Sequence, residues 1–263
     1  MKQIKIQCPA KVNLTLKVVG KREDGFHNID SVMQTISLFD YLTISIEDGD
    51  KTEILLSGNS DEIPYDESNL VYKATKLFLS QLENQEYKIS VYIEKNIPIA
   101  AGLAGGSTDA AGVLYGLNKL LNEPLSKEKL HELCAKLGSD LNLCLEGGRQ
   151  KTSGRGEVLE QMPFEDFGIS LIKPINLGIS AKEAYTKFSG KTKNSQRDSF
   201  ANDLEWAIID DYPILQEIKK RYPNSIMSGS GSTYFGINIT FDNIEGFWVK
   251  NGLKAIPYGV KEV

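Results

Sequence analysis

The chain has 263 residues and a mass of 29.2 kDa, with 41% hydrophobic and 25% charged residues. This composition is that of a globular protein and excludes a disordered chain, a fibrous chain and a small disulfide-stapled domain. Its 30 basic and 35 acidic side chains give a formal net charge of −5. Because duplex-binding proteins carry a broad basic surface, no nucleic-acid partner is expected. Any anion that the protein binds must be held by a local group of positive or N–H-donating atoms.

Cysteines and apolar runs bear on where the protein works. The cysteines Cys8, Cys134 and Cys144 are odd in number and lack metal-ligand spacing, which favours reduced thiols in the cytoplasm. The sequence contains no run approaching the roughly 20 apolar residues of a membrane span. Its N-terminus lacks the apolar segment of a signal peptide. We therefore expect a soluble cytoplasmic protein without a membrane partner.

The first half of the chain predicts strands followed by helices. Alternating apolar residues predict strands over residues 4–8, 12–19 and 41–46, with a polar turn over 20–25. From Ser68 the apolar residues Leu70, Ala74 and Phe78 recur with helical spacing, and alternation returns over residues 87–94. Two more helices are predicted, over about 107–121 and 127–137, the second capped by Ser126.

The second half mixes both kinds of element. A strand is predicted over residues 169–172, helices over 181–188 and 200–222, and a Gly/Ser turn over 228–232. The pattern then predicts a strand over 233–239, a short helix ending near Gly252 and a final strand. Interleaved strands and helices indicate an α+β protein, and we expect a domain boundary near residue 158.

The most informative segment is the glycine-rich stretch over residues 95–109, where a strand leads through a turn directly into a helix. Gly102, Gly105 and Gly106 permit close backbone approach, and the free N–H groups and dipole at the helix start attract an anion such as phosphate. The stretch matches neither the Walker A pattern nor the dinucleotide fingerprint Gly-x-Gly-x-x-Gly. Tight strand–helix packing is the alternative explanation of such a turn.

Two other segments can share a cleft with this loop. Lys11 and Asn13 lie two residues apart on a predicted strand, so both side chains project from one face. That face either meets a substrate or is the solvated face of an edge strand. The second segment is the Gly/Ser-rich run over residues 227–233.

Together the three segments resemble the galactokinase, homoserine kinase, mevalonate kinase and phosphomevalonate kinase superfamily. Its patterns are Pro-x-Lys-x-Asn-Leu, the phosphate loop Pro-x-x-x-Gly-Leu-x-[Gly/Ala]-[Gly/Ser]-Ser and a late Gly-Ser-Gly turn, and they occur here in that order. Within the superfamily, the chain resembles the branch that phosphorylates 4-diphosphocytidyl-2-C-methyl-D-erythritol. The segments shared with that branch are Asp24-Gly-Phe-His27, Glu67-Ser-Asn-Leu70, Leu137-Gly-Ser-Asp140, Gly154-Arg-Gly-Glu157 and Asn202-Asp-Leu-Glu205.

The resemblance implies a two-lobed fold with an N-terminal ATP-binding α/β lobe over residues 1–158 and a ferredoxin-like α+β lobe over 159–263. It implies transfer of the γ-phosphoryl group of Mg²⁺-bound ATP to the 2-hydroxyl of the methylerythritol unit, a step of the non-mevalonate route to isoprenoid precursors. The partners implied are these small molecules alone, and the chain would be a monomer or a homodimer.

The resemblance also implies site residues. Asp140 corresponds to the aspartate that accepts the hydroxyl proton, and Lys11 to the lysine that holds the acceptor and offsets negative charge. Ser107 is the hydroxyl most suited to a phosphate or its Mg²⁺. The residues expected to bind ATP are Asn69, Lys95, Pro98, Ile99, Ala100, Ala101, Gly102, Leu103, Ala104, Gly105, Gly106, Ser107 and Thr108. Without the resemblance, Asp140 reads as an ordinary turn aspartate near a helix end.

The cytidine end of the acceptor is expected to contact Asn13, Phe26, His27, Tyr185 and Gly229. A neutral imidazole at His27 can both donate a hydrogen bond to a base edge and accept one from it. The alternative without a binding role is a solvated histidine in a loop. Tyr185 could equally be a core aromatic on a helix. His131, early in a predicted helix with no motif around it, is assigned no role.

Three positions depart from the family pattern, which usually has Tyr, Pro and Thr where this chain has Phe26, Asn142 and Ala181. Phe26 can stack on a base but lacks a hydroxyl group. Asn142 does not fix the backbone φ of its turn as a proline would. These departures leave open a kinase of the same superfamily acting on another alcohol. A non-catalytic ATP-binding protein is the alternative from another class, although intact Lys11, Ser107 and Asp140 argue against it.

Overall fold

A computed structural model describes residues 1–82, 86–192 and 194–263 of the chain. Its larger sheet is built on two long strands, β1 (Lys2–Lys21) and β2 (His27–Asp48), which pair antiparallel over most of their length. The other strands of its main path are β3 (Glu53–Gly58), β4 (Tyr87–Glu94) and β11 (Lys261–Glu262), giving the order β11-β1-β2-β4-β3. Two short strands, β5 (Arg149–Ser153) and β6 (Val158–Gln161), extend the sheet from β2.

The strand β1 is irregular where the sequence predicts a functional segment. Its register against β2 shifts between Pro9 and Ala10 and again between Asn13 and Thr15. Such bulges re-aim side chains and are frequent beside active sites. The segment between them carries Lys11 and Asn13, whose exposed fractions are only 3% and 1%. The alternative of a solvated strand face is therefore wrong.

Four helices pack against this sheet. They are α1 (Leu70–Leu79), α2 (Gly105–Leu120), α3 (Lys127–Leu137) and α4 (Leu141–Glu146). Their apolar sides share a core with sheet side chains such as Ile6, Leu42 and Ile44, which are fully buried. Because burial of one such side chain contributes roughly 1.5–3 kcal/mol, this core fixes α2 and the glycine-rich loop at its start.

The second sheet is smaller and antiparallel. It contains β7 (Gly168–Pro174), β8 (Ile226–Met227), β9 (Tyr234–Ile237) and β10 (Phe247–Lys254), in the order β10-β7-β9-β8. The helices of this lobe are α5 (Ala181–Gly190), α6 (Asp203–Ile208) and α7 (Pro213–Arg221), with 3₁₀ turns at Ser195–Ser199 and Ile209–Asp211. Their core includes the buried rings of Trp206 and Tyr234. The expected α+β architecture of two lobes is confirmed.

Apolar side chains also join the lobes. Leu16 and Val18 of β1 lie in the core of the second lobe, and a further buried cluster brings Val12 and Ile36 of the first sheet against Leu171 and Phe235 of the second. The first sheet includes β6 and β11, so residues on both sides of position 158 belong to it. The division at residue 158 stays a prediction.

The strand over residues 87–94 and the helix over 127–137 are confirmed, and the Ser126 hydroxyl accepts from the Lys129 N–H at 3.2 Å. The predicted helix near Gly252 is wrong, because that glycine lies in β10 at a register shift, where its φ is +76°. The helical pattern over 200–222 corresponds to two helices, since α6 ends at Ile208 and α7 starts anew at Pro213. The helix α4 was not predicted, because six residues are too short for a periodic signal.

All three cysteines are buried thiols without a disulfide, as the sequence predicts. Among residues 1–82, 86–192 and 194–263, no helix is long and apolar enough to cross a membrane.

Candidate active site

The glycine-rich loop between β4 and α2 has a backbone suited to anions. Ala100, Gly102 and Ala104 all have positive φ values, of 49°, 75° and 60°. Ala104 is the N-cap of α2, and no side chain of the described residues caps that helix start. The N–H groups at the start of α2 are therefore available to a ligand, and the helix dipole favours negative charge there.

Gly102 is required where it stands. A Cβ atom at this position would lie 2.1 Å from the backbone oxygen of Ser228, in the Gly/Ser turn of the second lobe. The Ser228 hydroxyl also donates to the Gly102 oxygen at 2.9 Å. Close approach of the two loops, in addition to the backbone φ, thus explains this glycine.

A cavity of about 410 Å³ lies along the glycine-rich loop. It is lined by every residue expected to bind ATP except Thr108, whose side chain is fully buried behind the loop. Asn69 reaches this cavity from the start of α1, which its side chain caps by accepting from the Val71 N–H at 2.9 Å. A nucleotide-sized cleft therefore coincides with the predicted segment.

Lys95 belongs to a buried ionic cluster at the edge of this cavity. Its Nζ donates to Asp109 Oδ2 at 2.8 Å and also to Asp40. Asp40 in turn accepts the backbone N–H groups of Asn96 and Ile97 at 2.6 and 2.8 Å. Burial alone would lower the pKa of Lys95, but Asp109 and Asp40 raise it above its ordinary value. Burial raises the pKa of Asp109 to about 7, against the opposing effect of Lys95.

Lys11 and Asp140 lie close together beside the glycine-rich loop. Lys11 Nζ lies 3.6 Å from Asp140 Oδ2 and donates to Asn13 Oδ1 at 2.7 Å. Asn13 in turn donates to the Ser31 hydroxyl at 3.0 Å. The Lys11 backbone N–H donates to the Leu103 oxygen at 3.1 Å, which ties this strand to the glycine-rich loop. A cation and a carboxylate are thus held beside the glycine-rich loop by β1 and by the start of α4.

A second cavity, of about 770 Å³, opens from this pair of charges. Lys11 and Asp140 line it, as do all the residues expected to contact the cytidine end: Asn13, Phe26, His27, Tyr185 and Gly229. Gly102, Ala104 and Ser107 line both this cavity and the one along the glycine-rich loop. Two ligands bound side by side would meet at these three residues.

The larger cavity is also lined by aromatic rings. His27 stacks on Tyr185 with ring centroids 5.0 Å apart and an interplanar angle of 15°, and its Nε2 lies 3.0 Å from the Ser189 hydroxyl. Burial, together with nearby Lys21, lowers the pKa of His27. The imidazole is therefore neutral at pH 7, the form able both to donate and to accept.

The sequence reasoning gave no role to three cationic side chains that line this cavity, Lys21, Arg155 and Lys182. The Arg155 guanidinium lies 4.9 Å from the ring centroid of Phe26, which is 51% exposed. Arg155 lies in the Gly154-Arg-Gly-Glu157 segment, a signal that could have identified it. Lys21 and Lys182 carry no local signal and are brought to the cavity by the fold.

Two further positions that depart from the family pattern, Asn142 and Ala181, lie around the site. Asn142, the second residue of α4, is buried and donates to the Glu157 oxygen at 3.0 Å, which ties the helix after Asp140 to a neighbouring turn. Ala181 lines the larger cavity at the start of α5. His131 lines neither cavity, and its Nε2 lies 2.6 Å from Glu146 Oε1.

Comparison with known proteins shows which family the chain is similar to. Residues 69–148 match the family described as GHMP kinases N terminal domain. The chain is 36% identical to a 4-diphosphocytidyl-2-C-methyl-D-erythritol kinase of Prochlorococcus marinus subsp. pastoris, over 96% of this chain and 94% of that protein. It is 38% identical to the enzyme of the same name from Clostridium tetani, over 94% and 95%.

A solved structure is similar over the whole length. A crystal structure of 4-(cytidine 5′-diphospho)-2C-methyl-D-erythritol kinase superposes with a TM-score of 0.74 and 27% identity, over 96% of this chain and 99% of that one. Sequence identity and fold therefore agree across both lobes. The chain belongs to the 4-diphosphocytidyl-2-C-methyl-D-erythritol kinase family of the GHMP kinases.

Proposed function

We propose that the protein transfers the γ-phosphoryl group of ATP to the 2-hydroxyl of 4-diphosphocytidyl-2-C-methyl-D-erythritol, in the non-mevalonate route to isoprenoid precursors. The observation that carries this proposal is the junction of two cavities at Gly102, Ala104 and Ser107, with Lys11 and Asp140 on the side of the larger one. Phosphoryl transfer needs an acceptor and a donor phosphate in line, and this arrangement suits that geometry.

In the proposed reaction Asp140 accepts the proton of the acceptor hydroxyl. The hydroxyl oxygen forms a bond to the γ-phosphorus while the bond from that phosphorus to the bridging β,γ-oxygen breaks, and ADP leaves. Lys11 holds the acceptor oxygen and offsets the negative charge that develops on it. The N–H groups at the start of α2 hold the donor phosphates.

The donor in this proposal is ATP carrying Mg²⁺, which neutralises charge on the phosphates. The Ser107 hydroxyl fits such an ion, because it lies in the first turn of α2 and lines both cavities. Oxygen ligands suit Mg²⁺, which usually keeps several of its waters.

The larger cavity supports a cytidine diphosphate group on the acceptor. We expect the neutral imidazole of His27 to read the base edge, and the rings of Phe26 and Tyr185 to contact the base face. The cationic side chains of Arg155 and Lys182 are suited to the diphosphate. Because Phe26 has no hydroxyl group, the hydrogen bond that a tyrosine would make at this position is either made by another group or missing.

Assembly and location belong to the same proposal. The residues described above line both cavities, and the proposed enzyme is a monomer or a homodimer. Buried free thiols and the use of ATP fit the cytoplasm.

The test is an ADP-release assay with Mg–ATP and 4-diphosphocytidyl-2-C-methyl-D-erythritol, run beside mevalonate, homoserine and galactose. Turnover with the cytidine-containing alcohol alone is the expected result. Turnover with another alcohol instead would contradict the proposed acceptor and direct attention to Phe26, Asn142 and Ala181. ATP binding without turnover of any alcohol would contradict the kinase reaction itself.

A further inference from the structure

A buried motif lies beneath the Gly/Ser turn of residues 227–233. Asn202 has an exposed fraction of 0% and is the N-cap of α6, where its side-chain oxygen accepts from the Leu204 N–H at 2.8 Å. Its amide nitrogen donates to the backbone oxygens of Met227 at 2.7 Å and Gly229 at 2.8 Å. One side chain therefore joins the start of a helix to two points of the turn.

Glu205, one helical turn further on, holds a third point. Its carboxylate is 1% exposed, accepts from the Met227 N–H at 3.2 Å and lies 3.5 Å from Lys219 Nζ. Burial raises the pKa of this carboxyl, and burying such a group costs free energy. Together, Asn202 and Glu205 form hydrogen bonds with the backbone oxygen and N–H of Met227 and with the backbone oxygen of Gly229.

The turn held in this way lies against the reacting groups. At Gly229, where φ is +54°, a Cβ atom would be 3.2 Å from Lys11 Nζ and 3.1 Å from the Gly102 oxygen. The turn thus lies beside the Lys11 ammonium and contacts the glycine-rich loop. A displacement of this turn would change the packing around the Lys11 ammonium.

The same motif also holds the strand that carries Lys11. The Leu16 N–H donates to the Ala201 oxygen at 2.9 Å, and the Val18 N–H donates to Asp203 Oδ2 at 2.8 Å. The start of α6 is therefore a common anchor for β1 and for the Gly/Ser turn. Because hydrogen bonds to buried groups are costly to break, this anchor fixes the distance between strand and turn.

We infer that Asn202 is a positioning residue for phosphoryl transfer, whose amide holds the Gly229 turn against Lys11 and the phosphate loop. The inference deepens the proposed kinase function and rests on it. Asn202 touches no reacting atom, and it acts through the backbone of the turn. Small displacements of groups that hold a reacting pair can reduce rates by about a hundredfold.

The test uses Asn202→Asp in the full-length chain. Aspartate keeps the oxygen that caps α6 but removes both N–H donors and places a carboxylate against two backbone oxygens. We expect kcat/KM for the cytidine-containing acceptor to fall at least tenfold. Deuterium exchange in residues 227–233 is expected to be faster. Should this variant fail to fold, Asn202→Ser, which keeps a capping oxygen without a charge, is measured in its place.

Asn118→Asp is the matched control. Asn118 is also buried, and its amide donates to the Leu125 oxygen at 3.0 Å while its side-chain oxygen accepts the Leu125 N–H, at the far end of α2. This variant is expected to lose stability while its acceptor kcat/KM stays within twofold of wild type.

Unchanged acceptor kinetics in the folded Asn202 variant would overturn the inference, whether or not exchange becomes faster. If the wild-type protein does not turn over the acceptor, the proposed function fails. The exchange measurement then still decides whether Asn202 holds the turn, and unchanged exchange would overturn that contact.

Discussion

The Lys11 ammonium and the Asp140 carboxylate lie 3.6 Å apart, just beyond hydrogen-bond distance, while Lys11 donates instead to Asn13 at 2.7 Å. Asp140 is the N-cap of α4, yet within the described ranges its carboxylate makes no capping hydrogen bond to that helix. Its side chain is 29% exposed, toward the larger cavity. Both charges are thus positioned by the fold while the carboxylate keeps lone pairs for an incoming hydroxyl.

Asp140→Asn is expected to lower kcat by about 10²–10⁴-fold, because an amide cannot accept the hydroxyl proton. ATP binding is expected to stay within twofold, since Asp140 does not line the cavity along the glycine-rich loop. Steady-state kinetics and nucleotide titration check these two results. Asp242→Asn, which alters an exposed ion pair with Arg221, is the matched control. Unchanged kcat in Asp140→Asn would remove that residue from the proposed reaction.

Gly102→Ala is expected to destabilise the protein by at least about 2 kcal/mol, because the added Cβ meets the Ser228 oxygen and the backbone φ is left-handed. Thermal unfolding measures this change. The control is Gly190→Ala, where an added Cβ would meet no atom within 4 Å apart from adjacent residues and its own helix backbone, and where φ lies outside the left-handed region. That variant is expected to keep its melting temperature. Equal stability of the two variants would mean that the loops are not in contact in solution.

Lys95→Met is expected to destabilise the protein by about 3–5 kcal/mol, because Asp40 and Asp109 then remain buried without their cation. Asp109→Asn is expected to cost less, since it removes one buried charge while Asp40 still pairs with Lys95. Denaturant unfolding at pH 7 compares the two. The reverse order of stabilities would contradict this description of the cluster.

The sequence identified the parts of the site that are local in the chain. The spacing of Lys11 and Asn13 predicted their common face, and the glycine-rich stretch predicted the anion-binding helix start. It did not identify Asp40 as the partner of Lys95, because the two are 55 residues apart and only the pairing of β2 with β4 brings them together. The sequence pattern predicts a helix end at Gly252 because a glycine at a strand irregularity has the same local signature.

Arg155→Ala is expected to raise KM for the cytidine-containing acceptor about tenfold with a smaller change in kcat. The reason is that the Arg155 guanidinium lines the larger cavity beside Phe26 and is suited to bind a diphosphate. Steady-state kinetics at two salt concentrations check this result, since an ionic contact weakens with salt. Arg221→Ala, which removes a comparable arginine–tyrosine contact outside the cavity, is expected to leave KM unchanged. An unchanged KM in Arg155→Ala would exclude this arginine from acceptor binding.

His131 predicts a pH dependence of stability that is independent of the reaction. A hydrogen bond to Glu146 raises the pKa of His131, and the same contact lowers the pKa of Glu146 to about 2. Because the folded pKa of His131 exceeds its unfolded value, the stabilisation is complete below about pH 6.5 and is lost as pH rises through the folded pKa. Since both side chains are about a quarter exposed, solvent screening limits the pair to about 0.5–1 kcal/mol.

His131→Gln is therefore expected to lose about 0.5–1 kcal/mol relative to wild type at pH 5.5 and much less at pH 9. Urea unfolding of both proteins at the two pH values measures the difference, in which the opposite contribution of His27 cancels. The double variant His131→Gln with Glu146→Gln separates the pair from the neighbouring contact of Glu146 with Lys127. An equal loss at both pH values would mean that His131 is held by packing and not by its charge.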